Sequence, residues 1–237
     1  MKYVSNHLAN DIAMEKNRLR IGFLLDGTDL VAWAYRMVEI IKQSDYAEIT
    51  VIVQDTQPAE PLRLTLASRI AGKIRSGQFW NAVGRRILTA VERLLVGKPG
   101  LLPCAFEIVD GTGLLAGIEV IKVNPRRHHG CDYIEGDELA SIRARDIDVL
   151  VLLGFRTLRG GILSSARYGV WSCQHGDIRV NRRGPAGYWE VMESWPETGS
   201  ILRIVTEDLD SASVMYRSSS STDVMSLADN KSTVQWE

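Results

Sequence analysis

Two short apolar runs with a helical stretch between them constrain this chain most. Ile21-Gly-Phe-Leu-Leu25 ends at the turn Asp26-Gly-Thr28, and Ile49-Thr-Val-Ile-Val53 is rich in β-branched residues and reads as a buried strand. Between them Leu30, Met37, Ile40 and Ile41 fall on one helical face, with Asp29 placed to cap the helix. Strand, helix, strand in about 35 residues is a βαβ unit, which predicts a parallel sheet.

The rhythm resumes in the second half. Ile118–Val123 reads as a strand, Gly136–Arg145 as a short helix, and Ile147–Leu153 as a strand that stops at Gly154. A small helix near Leu163, a strand over 168–173, a helix over 184–193, and strands over 201–205 and 214–217 follow. The expectation is α/β: an open, mostly parallel, Rossmann-like sheet with helices on both faces. Ligands of such sheets bind beyond the carboxyl ends of the strands, where Gly154, His175 and Thr206 are expected.

Residues 57–100 interrupt the pattern. Phe79, Val83, Ile87, Ala90, Val91, Leu94 and Leu95 share one helical face, and Arg63, Arg69, Lys73, Arg75, Arg85, Arg86, Arg93 and Lys98 face only Glu60 and Glu92. This is a helical insertion with a solvated basic face, or else a docking face for an anionic partner: a nucleotide, a carrier protein or a membrane surface.

Composition narrows the function. Lysines and arginines number 28 against 29 acids, a formal net charge of −1, which excludes a generally basic DNA binder. No apolar run approaches the ~20 residues that span a bilayer, and the first twenty residues carry Asn6, Asp11 and Glu15 instead of an apolar signal core. Cys104, Cys131 and Cys173 are widely spaced and odd in number, which suits a reducing, cytoplasmic setting.

Two motifs are weak. Asp110-Gly-Thr-Gly-Leu-Leu-Ala-Gly117 has one residue too many for a dinucleotide fingerprint and reads as a turn. His128-His-Gly-Cys131 has no second ligand cluster, and Pro125-Arg-Arg127 beside it suggests a solvated loop, so no metal site is expected. His175 differs, because it closes an apolar strand and precedes the polar loop with Asp177, Arg179, Arg182 and Arg183.

Asp148-Val-Leu-Val-Leu-Leu-Gly-Phe-Arg-Thr-Leu158 resembles the strand and turn that line the folate pocket of N10-formyltetrahydrofolate-dependent formyltransferases. His175, eight residues before Arg183-Gly-Pro-Ala186, is similar to that family's histidine and Arg-Gly-Pro element. Val205-Thr-Glu-Asp-Leu-Asp210 resembles the segment that ends in its catalytic aspartate. The resemblance covers about residues 147–217, touches the first βαβ unit loosely, and leaves 57–117 unmatched.

The resemblance implies one formyltransferase-like domain over 1–237, with a first βαβ unit (18–56), a helical insertion (57–100), a catalytic half (118–217) and a C-terminal tail (218–237). It implies N10-formyltetrahydrofolate as formyl donor and a primary amine as acceptor, an amino sugar or other biosynthetic amine being favoured. A purine-pathway acceptor stands behind these, and tRNA is disfavoured. His175 is the implied general acid/base and oxyanion stabiliser, with Asp210 as its charged partner. Leu153, Phe155, Arg156, Thr157, Leu158, Thr206, Glu207 and Asp208 are expected to enclose the folate, mainly through backbone groups, and Asp177 and Arg183 to meet the acceptor.

Two positions depart from the family. Cys173 stands where the family carries an oxyanion-stabilising asparagine, and a thiol is a weak donor; losing one oxyanion donor typically costs about 10²–10³ in rate. Ser211-Ala212 replaces a glycine pair beside the aspartate. The rival readings are a formyltetrahydrofolate hydrolase, with water in place of the amine, and a catalytically degenerate binding or scaffold protein.

Overall fold

A computed structural model describes residues 18–57, 104–175, 187–208 and 213–236. Strands β1 (Leu19–Leu25), β3 (Ala47–Asp55), β5 (Glu119–Val123), β8 (Val149–Leu152), β10 (Val170–His175), β11 (Glu197–Ile204) and β12 (Ser213–Ser221) form a seven-stranded sheet in the order β12-β11-β10-β8-β1-β3-β5. The five strands from β5 to β10 run parallel, and β11 and β12 add an antiparallel edge. The expected α/β architecture is therefore present.

Apolar side chains fill both faces of this sheet. On one, Leu24, Val53, Leu150 and Val170 pack with Ile142 of helix α3 (Gly136–Arg143), and with Leu158 and Ile162. On the other, Phe23, Ile52 and Val151 pack with Val38 of helix α1 (Ala32–Gln43) and Leu115 of the short helix α2 (Thr112–Leu115). Both central strands are covered on either side, so they read as near-continuous apolar runs.

Several local expectations are corrected. Asp29 does not cap α1; it opens a short strand, β2 (Asp29–Val31), paired antiparallel with β4 (Ile108–Asp110). The helix needs no side-chain cap because the Ala32 and Trp33 N–H groups donate to the Glu107 and Ala105 carbonyls at 2.8 and 3.1 Å. Its fully buried positions are Ala34 and Val38, one turn apart, while Ile40 is 46% exposed. The turn expected over Asp110–Gly117 becomes the end of β4 followed by one helical turn, with Asp110 accepting the Thr112 N–H at 2.8 Å.

The His-His-Gly-Cys run forms a hairpin where an irregular loop was expected. His129 and Gly130, both at positive φ, make the two-residue turn between β6 (Arg126–His128) and β7 (Cys131–Tyr133). Strand β9 (Thr157–Arg159) extends it into a three-stranded sheet in the order β6-β7-β9. The helix expected over 184–193 is described as the short α4 (Tyr188–Met192). The run from Ser218, expected as a tail, continues β12 to Ser221 and then forms helix α5 (Leu227–Trp236). α5 is tied down by buried Asn230, whose amide exchanges hydrogen bonds with Thr198 Oγ1 and whose Oδ1 accepts the Asp223 N–H at 2.9 Å. The insertion lies outside the described residues beyond Gln57.

Candidate active site at the carboxyl ends of the parallel strands

The chain runs from β1 outward to β3 and β5, then returns to build β8 and β10 on the other side of β1. The crevice between the carboxyl ends of β1 and β8 is thus the topological switch point, where ligands of open α/β sheets bind. There the Leu153 and Gly154 N–H groups both donate to the Leu24 carbonyl, at 3.1 and 2.8 Å. A Cβ on Gly154 would lie 2.3 Å from the Asp26 backbone nitrogen, so only glycine allows this approach. Phe155 follows at φ 71°, left-handed backbone that reverses the chain over the sheet.

The reversed segment, Leu153–Gly160, is held at two points. At the first, fully buried Asp132 of β7 accepts the Arg156 backbone N–H at 2.8 Å and its Nε at 2.9 Å. Asp132 also pairs with Arg127 Nε at 3.8 Å, and Arg127 reaches Asp55, at the end of β3, at 2.7 Å. Sequence reasoning missed this Asp55–Arg127–Asp132–Arg156 chain. Its signal is a charged residue at the inward position of a three-residue strand, too short to show alternation.

The second hold joins the two segments expected to enclose folate. Glu207 accepts the Gly160 N–H at 2.7 Å and Arg159 Nη1 at 3.2 Å, and its carbonyl takes Arg159 Nη1 at 2.6 Å. Hydrogen bonding to Cys131, the larger cause, and to Glu207 holds the Arg159 guanidinium above its usual pKa. Thr206 Oγ1 donates to the Asp208 carbonyl at 2.6 Å and tightens the turn. Leu158 is buried in the core and has only backbone to offer a ligand, whereas Arg156 is exposed.

Strand β10 carries the expected reacting groups. Cys173 is half-buried, and burial pushes its thiol up from the ordinary value. It lines a cavity of about 460 Å³ on the α1 face of the sheet, with Trp33, Met37, Val151, Trp171 and Trp236. His175 is the last residue of β10, in register with Ser200. Its side chain, together with Asp177, Arg183 and Asp210, lies outside the described residues.

Register separates two of the expected partners. β10 and β11 are antiparallel, with His175 opposite Ser200 and Trp171 opposite Ile204. The Val205 N–H bonds the Val170 carbonyl at 2.7 Å, so the chain leaves β11 at the far end of β10 from His175. The described residues do not bring Thr206–Asp208 to His175, and the path to Asp210 lies outside them.

β9 is the edge of its sheet: β7 occupies one side, and no strand among the described residues pairs with the other. The 206–208 turn is joined to this strand through the Arg159–Glu207 contact.

The overall arrangement matches solved structures. Glycinamide ribonucleotide transformylase 1 from Geobacillus kaustophilus superposes with a TM-score of 0.52, covering 92% of this chain and 93% of its own at 14% identity. The chain has the formyltransferase fold. The corresponding enzyme from Symbiobacterium toebii gives a TM-score of 0.52 at 11% identity, covering 92% of this chain and 81% of its own. A formyltetrahydrofolate deformylase from Burkholderia mallei gives 0.50 at 9% identity, covering 93% and 62%. No protein-family model matches the chain. No curated protein sequence matches it either. On this formyltransferase fold the Gly154 turn and the end of β10 lie at the same edge of the sheet, because β8 and β10 are parallel. Among the described residues no group of three metal-ligating side chains occurs, and no helix is long and apolar enough to cross a membrane.

Proposed function

We propose that the protein transfers a formyl group from N10-formyltetrahydrofolate to a primary amine of a small molecule. One observation carries the reading: on a formyltransferase fold, Glu207 ties together the two segments expected to hold the folate, beside the edge of β9 that no described strand pairs.

The chemistry is acyl transfer. The amine nitrogen attacks the formyl carbon, a tetrahedral intermediate carries the charge on oxygen, and the bond to folate N10 breaks. One proton leaves the amine and one is delivered to N10, so the products are an N-formyl amide and tetrahydrofolate. His175, a residue type that titrates near pH 6.5 in its ordinary state, serves as the proton carrier, with Asp210 as its charged partner. Cys173, protonated and half-buried, is a poor oxyanion donor, so backbone N–H groups, Gln174 or Asp177 share that role.

Calorimetric titration with a non-transferable analogue of the folate tests donor binding, and His175→Ala tests the chemistry. Micromolar binding weakened by Asp210→Ala, with turnover lost in His175→Ala, is expected. No binding at millimolar analogue would leave the scaffold reading in its place. Cys173→Asn, which restores a side-chain amide donor, is expected to raise turnover by about 10–100-fold.

A further inference from the structure

The switch-point turn and the cavity beside it bear on which amine is used. A phosphorylated ligand at such a turn is held by free N–H groups of the following helix and by cations. Here the first N–H groups of α1 are already engaged by the Glu107 and Ala105 carbonyls. Carboxylate residues flank the same helix end: Glu107, whose carbonyl takes the Ala32 N–H, and Asp29, directly opposite Asp110 in the β2–β4 ladder that leads into it. Hydrogen bonds from Thr112 hold Asp110 below its ordinary pKa, which keeps it charged. Among the described residues, a phosphate would meet like charge here and find these two donors taken.

The cavity has the opposite chemistry. It lies between α1, α5 and the sheet, and reaches from Ile21 and Tyr46 to Cys173 and Ser200, the register partner of His175. Trp33, Met37, Ile40, Trp171 and Trp236 give it an apolar lining, and about 460 Å³ is ordinary for a small-molecule site. Its polar groups are mostly engaged: the Ser200 and Ser218 hydroxyls bond each other at 2.8 Å, and Arg36 pairs with Glu39. Gln235, also in the lining, differs. Its Oε1 is out of solvent with no hydrogen-bond partner among the described residues. Turned into the cavity, this acceptor would be satisfied by a ligand that donates.

We infer that this cavity binds the acceptor, and that the acceptor is an unphosphorylated primary amine on an apolar, aromatic-sized body with a hydrogen-bond donor for Gln235. The inference rests on the formyl-transfer reading for its reaction, but not for its binding. The body lies along the sheet face under α1, and the amine reaches the Cys173 end, where β10 terminates at His175.

Tryptamine is a probe with these features, since it joins a primary amine to an indole N–H. Calorimetry on the full chain is expected to give saturable binding at sub-millimolar concentration, and glucosamine 6-phosphate none at tenfold higher concentration. Gln235→Leu, which removes the acceptor, and Ile40→Lys, at a half-exposed rim position, are each expected to weaken tryptamine at least tenfold. Far-UV circular dichroism verifies that both variants are folded. Adding N10-formyltetrahydrofolate and assaying for N-formyltryptamine separates the two readings. Binding without formylation upholds the cavity assignment and overturns formyl transfer to this amine class. Formylation of glucosamine 6-phosphate without tryptamine binding overturns the cavity assignment and leaves formyl transfer standing. Tryptamine binding unchanged by both substitutions also overturns the assignment, because the ligand then sits elsewhere.

Discussion

Asp132 is fully buried, yet it holds Arg156 twice, taking the backbone N–H at 2.8 Å and Nε at 2.9 Å. The family resemblance puts Arg156 at the folate. Its guanidinium also fixes the loop that would cradle one, a positioning role beside the expected folate contact. Asp132→Asn keeps the shape but removes the charge shared with Arg127 and Arg156. Breaking a buried ion pair costs roughly 3–5 kcal/mol, and the part-exposed Arg156 places this one at the lower end. Urea denaturation should show a loss of about 3 kcal/mol, and hydrogen exchange should quicken selectively over residues 153–157.

Gly154 makes a close contact between the exits of the two central strands. An added Cβ meets the Asp26 nitrogen at 2.3 Å and the Leu25 carbonyl carbon at 2.8 Å, backbone atoms that cannot swing aside. Gly154→Ala should cost about 1–3 kcal/mol by overpacking. Analogue binding should weaken further than stability alone explains, because the displaced turn carries Phe155 and Arg156. Unchanged affinity would separate this turn from the ligand site.

Asn230 anchors α5. It is fully buried, bonds Thr198 and the Asp223 N–H, and lies 2.9 Å from where a Cβ on Gly187 would sit. Asn230→Leu leaves Thr198 and the Asp223 N–H without this partner, at about 1–3 kcal/mol for each buried group left unsatisfied. Since α5 carries Val234, Gln235 and Trp236 into the cavity wall, tryptophan emission should shift to the red before global unfolding.

The Cys173 thiol is held above its ordinary pKa by burial. Folding therefore favours the protonated form. The linked stabilisation is fully present below the unfolded thiol's pKa of about 8.5 and is lost as pH rises through the higher folded value. Iodoacetamide at about pH 8 should modify exposed Cys104 at least tenfold faster than Cys173. Above about pH 9 the urea midpoint should fall more steeply for the wild type than for Cys173→Ala.

The strands that build the main sheet were legible because their residues carry local patterns. β3 and β8 are apolar on both faces, and the turn at Gly154 marks where β8 stops. The short strands were not. β2, β4, β6, β7 and β9 have three residues each, below the length at which alternation can be recognised, and their pairing depends on distant segments. α5 escaped for another reason: its buried positions include Asn230 and Ser232 as well as Val234, so no apolar stripe marks it. Trp236 of the same helix lines the cavity.

From residue order alone came the α/β alternation, the direction of the parallel half, and the strand-end positions of Gly154 and His175. Each follows from a property that neighbouring residues share, apolarity at period two or 3.6 and a glycine where the chain reverses. Only the tertiary structure decided that Arg156 serves Asp132, that Glu207 closes β9 against the 206–208 turn, and that Cys173 opens on an apolar cavity walled by α5. Those relations join residues far apart in the chain: Arg127 meets Asp55 across 72 positions and Asn230 meets Thr198 across 32. Nothing local to either partner specifies such a pair, because its stabilisation exists only once folding has excluded water from the space between them.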